Sequence, residues 1–354
     1  MKTDLEQTAR ALVARGKGIL AADETVPTIT KRFDALAIPS TPTTRRDYRE
    51  MLITAGGAAE FLSGVIMYDE TIRQESSNGS PLVSVCRQVG ILSGIKVDLG
   101  AKPLAGWSDE RVTEGLDELR ERLSEYRALG AEFAKWRAVF AVSNALPSEA
   151  CVVANAHALN QYAALCQEQH IVPIVEPEVL MDGAHSIERC EVVTGKVLQA
   201  VFAALHEQGV SLEGMLLKPN MVVPGVASPR QASVTQVAAA TLRCLRRHVP
   251  PAVPGIVFLS GGQNDVLATL HLNAINQAAG AKPWALTFSY GRALQDAALA
   301  AWRGKPENVA QAQHQLHHRV RCNSLAALGT YTDADESQVH GEVLAGVAGG
   351  WDDD

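Results

Sequence analysis

The chain has 354 residues, of which 47% are hydrophobic and 20% are charged. This composition is typical of a folded globular protein and excludes a disordered or collagen-like chain. The net charge is -7 and no long run of basic residues occurs, so we do not expect nucleic acid as a partner. No apolar run approaches the roughly 18 residues that cross a bilayer, and the N-terminus lacks the apolar segment of a signal peptide. We therefore expect a cytoplasmic protein with no membrane partner.

Eight short runs of strand-forming residues recur along the chain, and each is followed by a longer stretch with room for a helix. The strands are predicted at residues 18–23, 64–68, 94–99, 133–139, 171–177, 215–220, 256–261 and 286–291. Residues 118–129 and 186–205 have the apolar spacing of amphipathic helices. The strands are apolar on both faces, as in a parallel sheet covered by helices. This alternation predicts an α/β fold, a single (β/α)8 TIM barrel over residues 1–354, with a doubly wound open sheet as the alternative.

Charged and polar residues are concentrated at the C-terminal ends of the predicted strands. In a TIM barrel these ends meet at the active-site face. A charge inside an apolar strand is costly unless it is paired or functional. A structural ion pair would explain any one position, but three lysines at one end of the barrel favour an active site. The residues are Asp23, Lys96, Lys135, Arg137, Glu176, Glu178, Lys218, Ser260 and Arg292.

Lys218 is the candidate nucleophile. It lies on an otherwise apolar strand, in the sequence MLLKPN. The ordinary pKa of lysine is about 10.4, so the reactive neutral amine is rare at neutral pH. Desolvation and the positive charges of Lys135 and Arg137 would both favour the neutral form. A neutral lysine that attacks a carbonyl forms a carbinolamine and then an iminium, which accepts electrons when an adjacent carbon bond breaks.

Carboxylates for proton transfer come from two predicted strands. Glu176 and Glu178 lie two residues apart in VEPE, and Asp23 ends the first predicted strand. Two nearby carboxylates do not both ionise easily, so one of them could act as a general acid. The alternative for Glu178 is a structural ion pair with Lys135 or Arg137. Glu176 is the stronger candidate for acid/base catalysis.

Two glycine-containing loops follow the seventh and eighth predicted strands, in LSGGQ and SYGR. TIM barrels commonly bind phosphate with the loops after these two strands, through backbone N–H groups. A single glycine after a strand is usually only a turn, whereas two such loops at the expected strands, one with an arginine, predict a phosphate site. The candidate residues are Ser260, Gly261, Gly262, Ser289, Gly291 and Arg292.

The residues that could bind a metal do not form a recognisable motif. His314, His317 and His318 lie on a predicted helix without an HExxH motif or a carboxylate at ligand spacing, which favours a solvated helix face over zinc. The cysteines are scattered without a CxxC pair, so we expect buried, reduced thiols. They are Cys86, Cys151, Cys166, Cys190, Cys244 and Cys322.

Long segments of the chain resemble class I fructose-bisphosphate aldolases. The matching segments are GKGILAADE, GIKVD, KPLAG, FAKWR, IVPIVEPE, LEGMLLKPNMV, FLSGGQ, LNAIN and KPWALTFSYGRALQ, in family order from about residue 16 to about residue 305. The resemblance implies a lyase of glycolysis and gluconeogenesis that reversibly cleaves fructose 1,6-bisphosphate into dihydroxyacetone phosphate and glyceraldehyde 3-phosphate. It also implies phosphorylated sugars as ligands, no metal, no cofactor and a homotetramer.

The same resemblance implies roles for the site residues. Lys218 would form the Schiff base, and Lys135 and Glu176 would assist its formation and the proton transfers. Asp23 would orient the intermediate, with Glu178 and Arg137 in support. The residues implied for the two phosphates are Ser260, Gly261, Ser289, Gly291 and Arg292 at the 1-phosphate, and Lys96, Thr25 and Thr28 at the 6-phosphate.

The chain departs from the family pattern at three places. Pro27 replaces a glycine of the 6-phosphate segment and Leu99 replaces a common lysine, so we expect a stiffer loop and one positive charge fewer near the second phosphate. Residues from about 332 to 354 are expected to form a mobile tail, which ends in 351–354 (WDDD) rather than in the family's terminal tyrosine. We therefore expect the tail to contribute to protonation of the enamine in a different way from a tail that ends in tyrosine. The alternatives left open are a Schiff-base aldolase for another phosphorylated ketose and a non-catalytic phosphosugar-binding barrel.

Overall fold

The computed structural model describes residues 2–337. The strands are β1 Gly18–Ala21, β2 Leu62–Met67, β3 Leu92–Lys96, β4 Ala101–Leu104, β5 Trp107–Thr113, β6 Phe133–Phe140, β7 Val172–Val179, β8 Leu216–Leu217, β9 Gly255–Phe258 and β10 Ala285–Tyr290. Eight of them are parallel and close a barrel in the order β1-β2-β3-β6-β7-β8-β9-β10. The predicted TIM barrel is therefore confirmed, and the open sheet is excluded.

Helices surround the barrel. They are α1 Lys2–Leu12, α2 Val26–Asp34, α3 Pro42–Ile53, α4 Asp69–Ile72, α5 Leu82–Val89, α6 Leu119–Leu129, α7 Glu149–Glu168, α8 Ile187–Glu207, α9 Val234–His248, α10 Asp265–Gln277, α11 Arg292–Trp302 and α12 Val309–Ala327. Several begin at a serine or asparagine whose side chain accepts a hydrogen bond from the first turn, as Ser148, Ser186 and Asn264 do. The helices predicted at 118–129 and 186–205 correspond to α6 and α8.

One pair of strands was not predicted from the sequence. β4 and β5 form an antiparallel hairpin outside the barrel, and the KPLAG segment lies in it. Its residues are largely polar and exposed, so the hairpin lacks the apolar pattern that indicated the barrel strands. The hairpin is tied to α7 by Asn155, whose side chain accepts from Thr113 N and donates to Arg111 O.

The N-terminal end of the barrel is closed by apolar packing. Leu12 and Val13, at the end of α1, belong to one buried cluster with Phe133 and with the first residues of neighbouring strands. Glycine is required where Phe133 crosses the interior, because a Cβ on Gly94 would lie 2.2 Å from its ring. Burial of each large apolar side chain stabilises the fold by about 1.5–3 kcal/mol. This packing leaves the opposite end of the barrel for polar groups.

Several sequence expectations can be compared directly with the structure. All six cysteines are buried and free, as predicted. The solvated face predicted for the histidines is wrong for His318, which is buried because α12 packs that side against the segment that follows it. None of the helices within residues 2–337 is long and apolar enough to cross a membrane. Of the expected tail, residues 333–337 are helical, and residues 338–354 lie outside the described residues.

Candidate active site

A pocket of about 270 Å³ opens at the C-terminal end of the barrel. All of the catalytic and binding residues singled out in the sequence line this pocket. They are Asp23, Thr25, Thr28, Lys96, Lys135, Arg137, Glu176, Glu178, Lys218, Ser260, Gly261, Gly262, Ser289, Gly291 and Arg292. The strand alternation thus brings together residues that are up to 269 positions apart in the sequence, from Asp23 to Arg292.

Four buried charges form the centre of the pocket. The Nζ atom of Lys135 lies 2.7 Å from Asp23 Oδ2 and 3.4 Å from Glu176 Oε2. The other oxygen of Glu176, Oε1, lies 3.2 Å from the Nζ of Lys218. Each of these side chains is at most 11% exposed. The charges of the two lysines and the two carboxylates cancel, which lowers the free-energy cost of burying them. Glu176 bridges the two lysines.

The charges in this cluster fix two protonation states. Burial alone would raise the pKa of Asp23, but the positive charges of Lys135 and Lys218 outweigh it and lower this pKa to about 2. Burial alone would lower the pKa of Lys135, but Asp23 and Glu176 raise it above the usual lysine range. Asp23 is therefore a carboxylate and Lys135 an ammonium at neutral pH. A permanent positive charge stands beside the carboxylate that contacts Lys218.

Glu176 and Glu178 do not share one environment. Glu176 contacts the two lysines, whereas Glu178 accepts a short hydrogen bond from Arg137 Nε. Burial alone would lower the pKa of Arg137, but Glu178 raises it. The coupled pair of carboxylates suggested by VEPE is therefore replaced by two carboxylates with separate cations. The ion pair considered as the alternative for Glu178 is the arrangement in the structure.

One side of the pocket has the features of a phosphate site. Gly261 and Gly262 follow β9 with φ values of 58° and 85°, a conformation that glycine adopts without strain. Gly291 precedes α11, so the N-terminus of this helix faces the pocket beside Arg292. Ser289 is 1% exposed, and its hydroxyl has no hydrogen-bond partner among the described residues. Helix N-termini and glycine loops present N–H groups to anions.

The other side of the pocket carries Thr25, Thr28 and Lys96. The Thr25 hydroxyl caps α2 by accepting from Thr28 N at 3.4 Å, and the two hydroxyls lie 3.0 Å apart. The expected 6-phosphate loop is thus the first turn of α2, where Pro27 fits because the missing N–H would have no partner there. Lys96 Nζ donates to Asp98 Oδ1 at 2.7 Å, and Leu99 is 61% exposed nearby.

Two charged residues that line the pocket, Glu24 and Arg32, were not singled out in the sequence. Arg32 contacts Glu24 and donates to Asp296 at 2.9 Å, and Glu24 also pairs with Arg49 Nη1 at 2.6 Å. Arg32 is one helical turn beyond Thr28, and residues at this spacing share a face of a helix. That spacing could have identified Arg32, which lies on a helix rather than at the end of a strand.

The fold and the site define the class of protein. A TIM barrel with buried lysines and carboxylates at its mouth, beside a glycine-lined anion site, is a barrel enzyme for a small phosphorylated substrate.

Comparison with known proteins identifies the family. The family model described as fructose-bisphosphate aldolase class-I matches residues 4–346. A probable fructose-bisphosphate aldolase class 1 of Xanthomonas campestris pv. campestris is 53% identical over 328 residues, which are 92% of this chain and 98% of the relative. Fructose-bisphosphate aldolase C of Rattus norvegicus is 50% identical over 331 residues, 93% of this chain and 91% of the relative.

A solved structure agrees with this result. Fructose-bisphosphate aldolase from Plasmodium falciparum, in complex with TRAP and a small-molecule inhibitor, has a TM-score of 0.92 and 49% identity, and the match covers 94% of this chain and 96% of that one. The chain belongs to the class-I fructose-bisphosphate aldolase family and is a lyase. The resemblance found in the sequence is confirmed.

Proposed function

We propose that this enzyme reversibly cleaves fructose 1,6-bisphosphate into dihydroxyacetone phosphate and glyceraldehyde 3-phosphate through a Schiff base on Lys218. The observation that carries the proposal is the position of Glu176, whose two oxygens lie 3.2 Å from Lys218 Nζ and 3.4 Å from Lys135 Nζ. A nucleophile and its acid/base group are thus within reach of each other, and a permanent cation holds that group in place.

The first stage forms the Schiff base. Glu176 takes a proton from Lys218, and the neutral amine attacks the C2 carbonyl of the ketose to give a carbinolamine. Glu176 then returns a proton to the C2 hydroxyl, which leaves as water, and an iminium remains. Lys135 donates a hydrogen bond to the oxygen that develops negative charge, and the low exposure of the cluster strengthens this interaction.

The second stage breaks the C3–C4 bond. A carboxylate of the cluster removes the proton of the C4 hydroxyl, the C3–C4 electron pair moves to the iminium, and glyceraldehyde 3-phosphate leaves. The resulting enamine is protonated at C3, and water releases dihydroxyacetone phosphate and restores Lys218. Asp23, a carboxylate that accepts from Lys135, is placed to orient the intermediate by its hydroxyl groups.

The two anion-binding sides of the pocket would hold the two phosphates. We assign the 1-phosphate to Ser260, Gly261, Ser289, Gly291 and Arg292, because the glycine loop and the N-terminus of α11 meet there. We assign the 6-phosphate to Thr25, Thr28 and Lys96. Arg137 and Glu178 would support the site between them.

The assignment is tested with two substrates that differ in one phosphate. Arg292→Met should lower kcat/KM for fructose 1,6-bisphosphate and fructose 1-phosphate alike, whereas Lys96→Met should lower it only for the bisphosphate. Lys102→Met, at an exposed lysine of β4, is the matched control. Equal losses on both substrates for both variants would contradict the assignment. Faster cleavage of tagatose 1,6-bisphosphate by the wild type would favour the second candidate function, an aldolase for another phosphorylated ketose.

We also propose a single domain over residues 1–354, acting as a homotetramer in the cytoplasm. The resemblance to the family is what supports the tetramer and the compartment. Light scattering during size-exclusion chromatography should give four times the 37.8 kDa mass of one chain. A monomer at the concentration of the activity assay would contradict this.

A further inference from the structure

A second cluster of polar side chains lies on α12 and the segment after it. His318 and Cys322 are one helical turn apart, both are buried, and His318 Nε2 lies 3.6 Å from Cys322 Sγ. Glu336 comes from the following segment, and its Oε1 lies 3.9 Å from the same Nε2 atom. Among the side chains that the structure describes, this is the one group of three histidine, cysteine or carboxylate ligands whose donor atoms all lie within 4.8 Å of one another.

The nitrogen–sulfur separation matches an edge of a tetrahedral metal site. Zinc binds nitrogen at about 2.0–2.1 Å, sulfur at about 2.3 Å and oxygen at about 2.0–2.2 Å. At tetrahedral angles these bond lengths place nitrogen and sulfur about 3.6 Å apart, and nitrogen and oxygen about 3.4 Å apart. The observed nitrogen–sulfur distance is 3.6 Å and the nitrogen–oxygen distance is 3.9 Å, and a carboxylate oxygen lies within 4.8 Å of the sulfur, so the carboxylate has to move closer to the other two ligands to bind the ion.

The surrounding groups hold the carboxylate in this position. Glu336 accepts a short hydrogen bond from Arg319 Nη1 and a 2.6 Å hydrogen bond from the Tyr331 hydroxyl. Arg319 is itself 3% exposed and donates to Thr269 Oγ1 at 2.8 Å. Carboxylates that bind metals are typically oriented by such hydrogen bonds. The guanidinium also offsets part of the negative charge that a thiolate and a carboxylate would bring together.

We propose that His318, Cys322 and Glu336 bind a divalent transition-metal ion, for which zinc fits best, with water as the fourth ligand. A nitrogen, sulfur and oxygen donor set suits zinc, whereas magnesium and calcium require oxygen ligands. Binding replaces the thiol proton, which is released to solvent as the sulfur–metal bond forms. None of the three residues lines the active-site pocket, so the ion would take no part in the aldolase reaction and would fasten residues 331–337 to α12.

The sequence could not reveal this site from the histidines alone. His318 and Cys322 have the spacing of two ligands on one helix face, but Glu336 lies 14 residues after Cys322, on a segment that folds back onto α12.

Cobalt titration of the full chain tests the proposal. One equivalent of Co²⁺ should produce a thiolate-to-cobalt absorption band in the near ultraviolet, and Zn²⁺ should abolish it. Cys322→Ala should remove the band, and His318→Gln and Glu336→Gln should weaken the binding at least tenfold. Cys86→Ala, at another buried cysteine, and His206→Gln, at an exposed histidine, are the matched controls and should keep the band.

Folding of the variants is monitored by circular dichroism and by aldolase activity, both of which should stay at the wild-type level. If Cys322→Ala does not fold, Glu336→Gln carries the test, because this side chain is 29% exposed, and glutamine keeps one oxygen as an acceptor for Arg319 while its NH2 group can donate to the Tyr331 hydroxyl. No band in the wild type would overturn the proposal. So would a band that survives in Cys322→Ala, or one that Cys322→Ala removes but His318→Gln and Glu336→Gln leave at full affinity.

Discussion

The two ends of the barrel differ in what their buried residues do. At the N-terminal end, the interior is filled by apolar side chains that are stabilised by close packing and form no ion pairs. They include Leu12, Val13 and Phe133. At the C-terminal end, Lys135, Glu176 and Lys218 are also buried, but their charges are balanced only by one another and by Asp23. The first end should therefore determine stability and the second end activity, and variants at the two ends should separate these properties.

The largest effect is expected from Glu176. Glu176→Gln removes the acid/base group between the two lysines, and we expect kcat to fall about 10²–10⁴-fold, the usual contribution of such a group. Glu178→Gln is the matched comparison two residues away on β7, where the carboxylate binds Arg137 instead. It should raise KM more than it lowers kcat. Steady-state kinetics distinguish the two, and an equal loss of kcat in both variants would contradict their separate roles.

The apolar end is tested with Leu12→Ala. Leu12 is fully buried, so the cavity should cost about 2–5 kcal/mol of the free energy of unfolding. Val192→Ala, at a side chain that is 64% exposed on α8, is the control and should change stability by less than about 0.5 kcal/mol. Urea unfolding measures both. If Leu12→Ala lowers kcat by more than the fraction of unfolded protein in the assay explains, stability and activity are not separated between the two ends of the barrel.

The charged end still contributes to stability in one pH range. The pKa of Asp23 is lowered from 3.8 to about 2, so its ionised form stabilises the folded state above about pH 4. This contribution, on the order of 2 kcal/mol, is lost as the pH falls through about 2. The free energy of unfolding should therefore decrease from pH 5 to pH 2 in the wild type and less steeply in Asp23→Asn. Parallel curves for the two proteins would exclude this role of Asp23.

The smallest effect is expected at the rim of the pocket. Leu99→Lys places a positive charge near Lys96, and we expect KM for fructose 1,6-bisphosphate to fall about two- to fivefold at low salt, in line with the small energies of exposed charges. KM for fructose 1-phosphate should not change, and added salt should remove the difference. A decrease for both substrates would mean that Leu99 does not lie near the second phosphate.

Comparison of the two ends also shows how much the sequence could predict. Buried strands at regular spacing identified the barrel, and a charge at the end of an apolar strand identified Lys135, Glu176 and Lys218. The sequence offered Lys135 or Arg137 as the partner of Glu178 but did not decide between them, because strand register and side-chain direction determine that Glu178 binds Arg137 while Glu176 binds the lysines. Arg32 was missed because it lies on a helix rather than at the end of a strand.

Reduction with borohydride in the presence of dihydroxyacetone phosphate tests the role of Lys218 most directly. The reagent reduces an iminium to a stable amine, and mass mapping then locates the modified residue. We predict one adduct per chain, on Lys218, and none in Lys218→Met, while Lys196→Met, at a half-exposed lysine of α8, is labelled like the wild type. An adduct on Lys135 or Lys96 instead, or no adduct under conditions of active cleavage, would contradict the account.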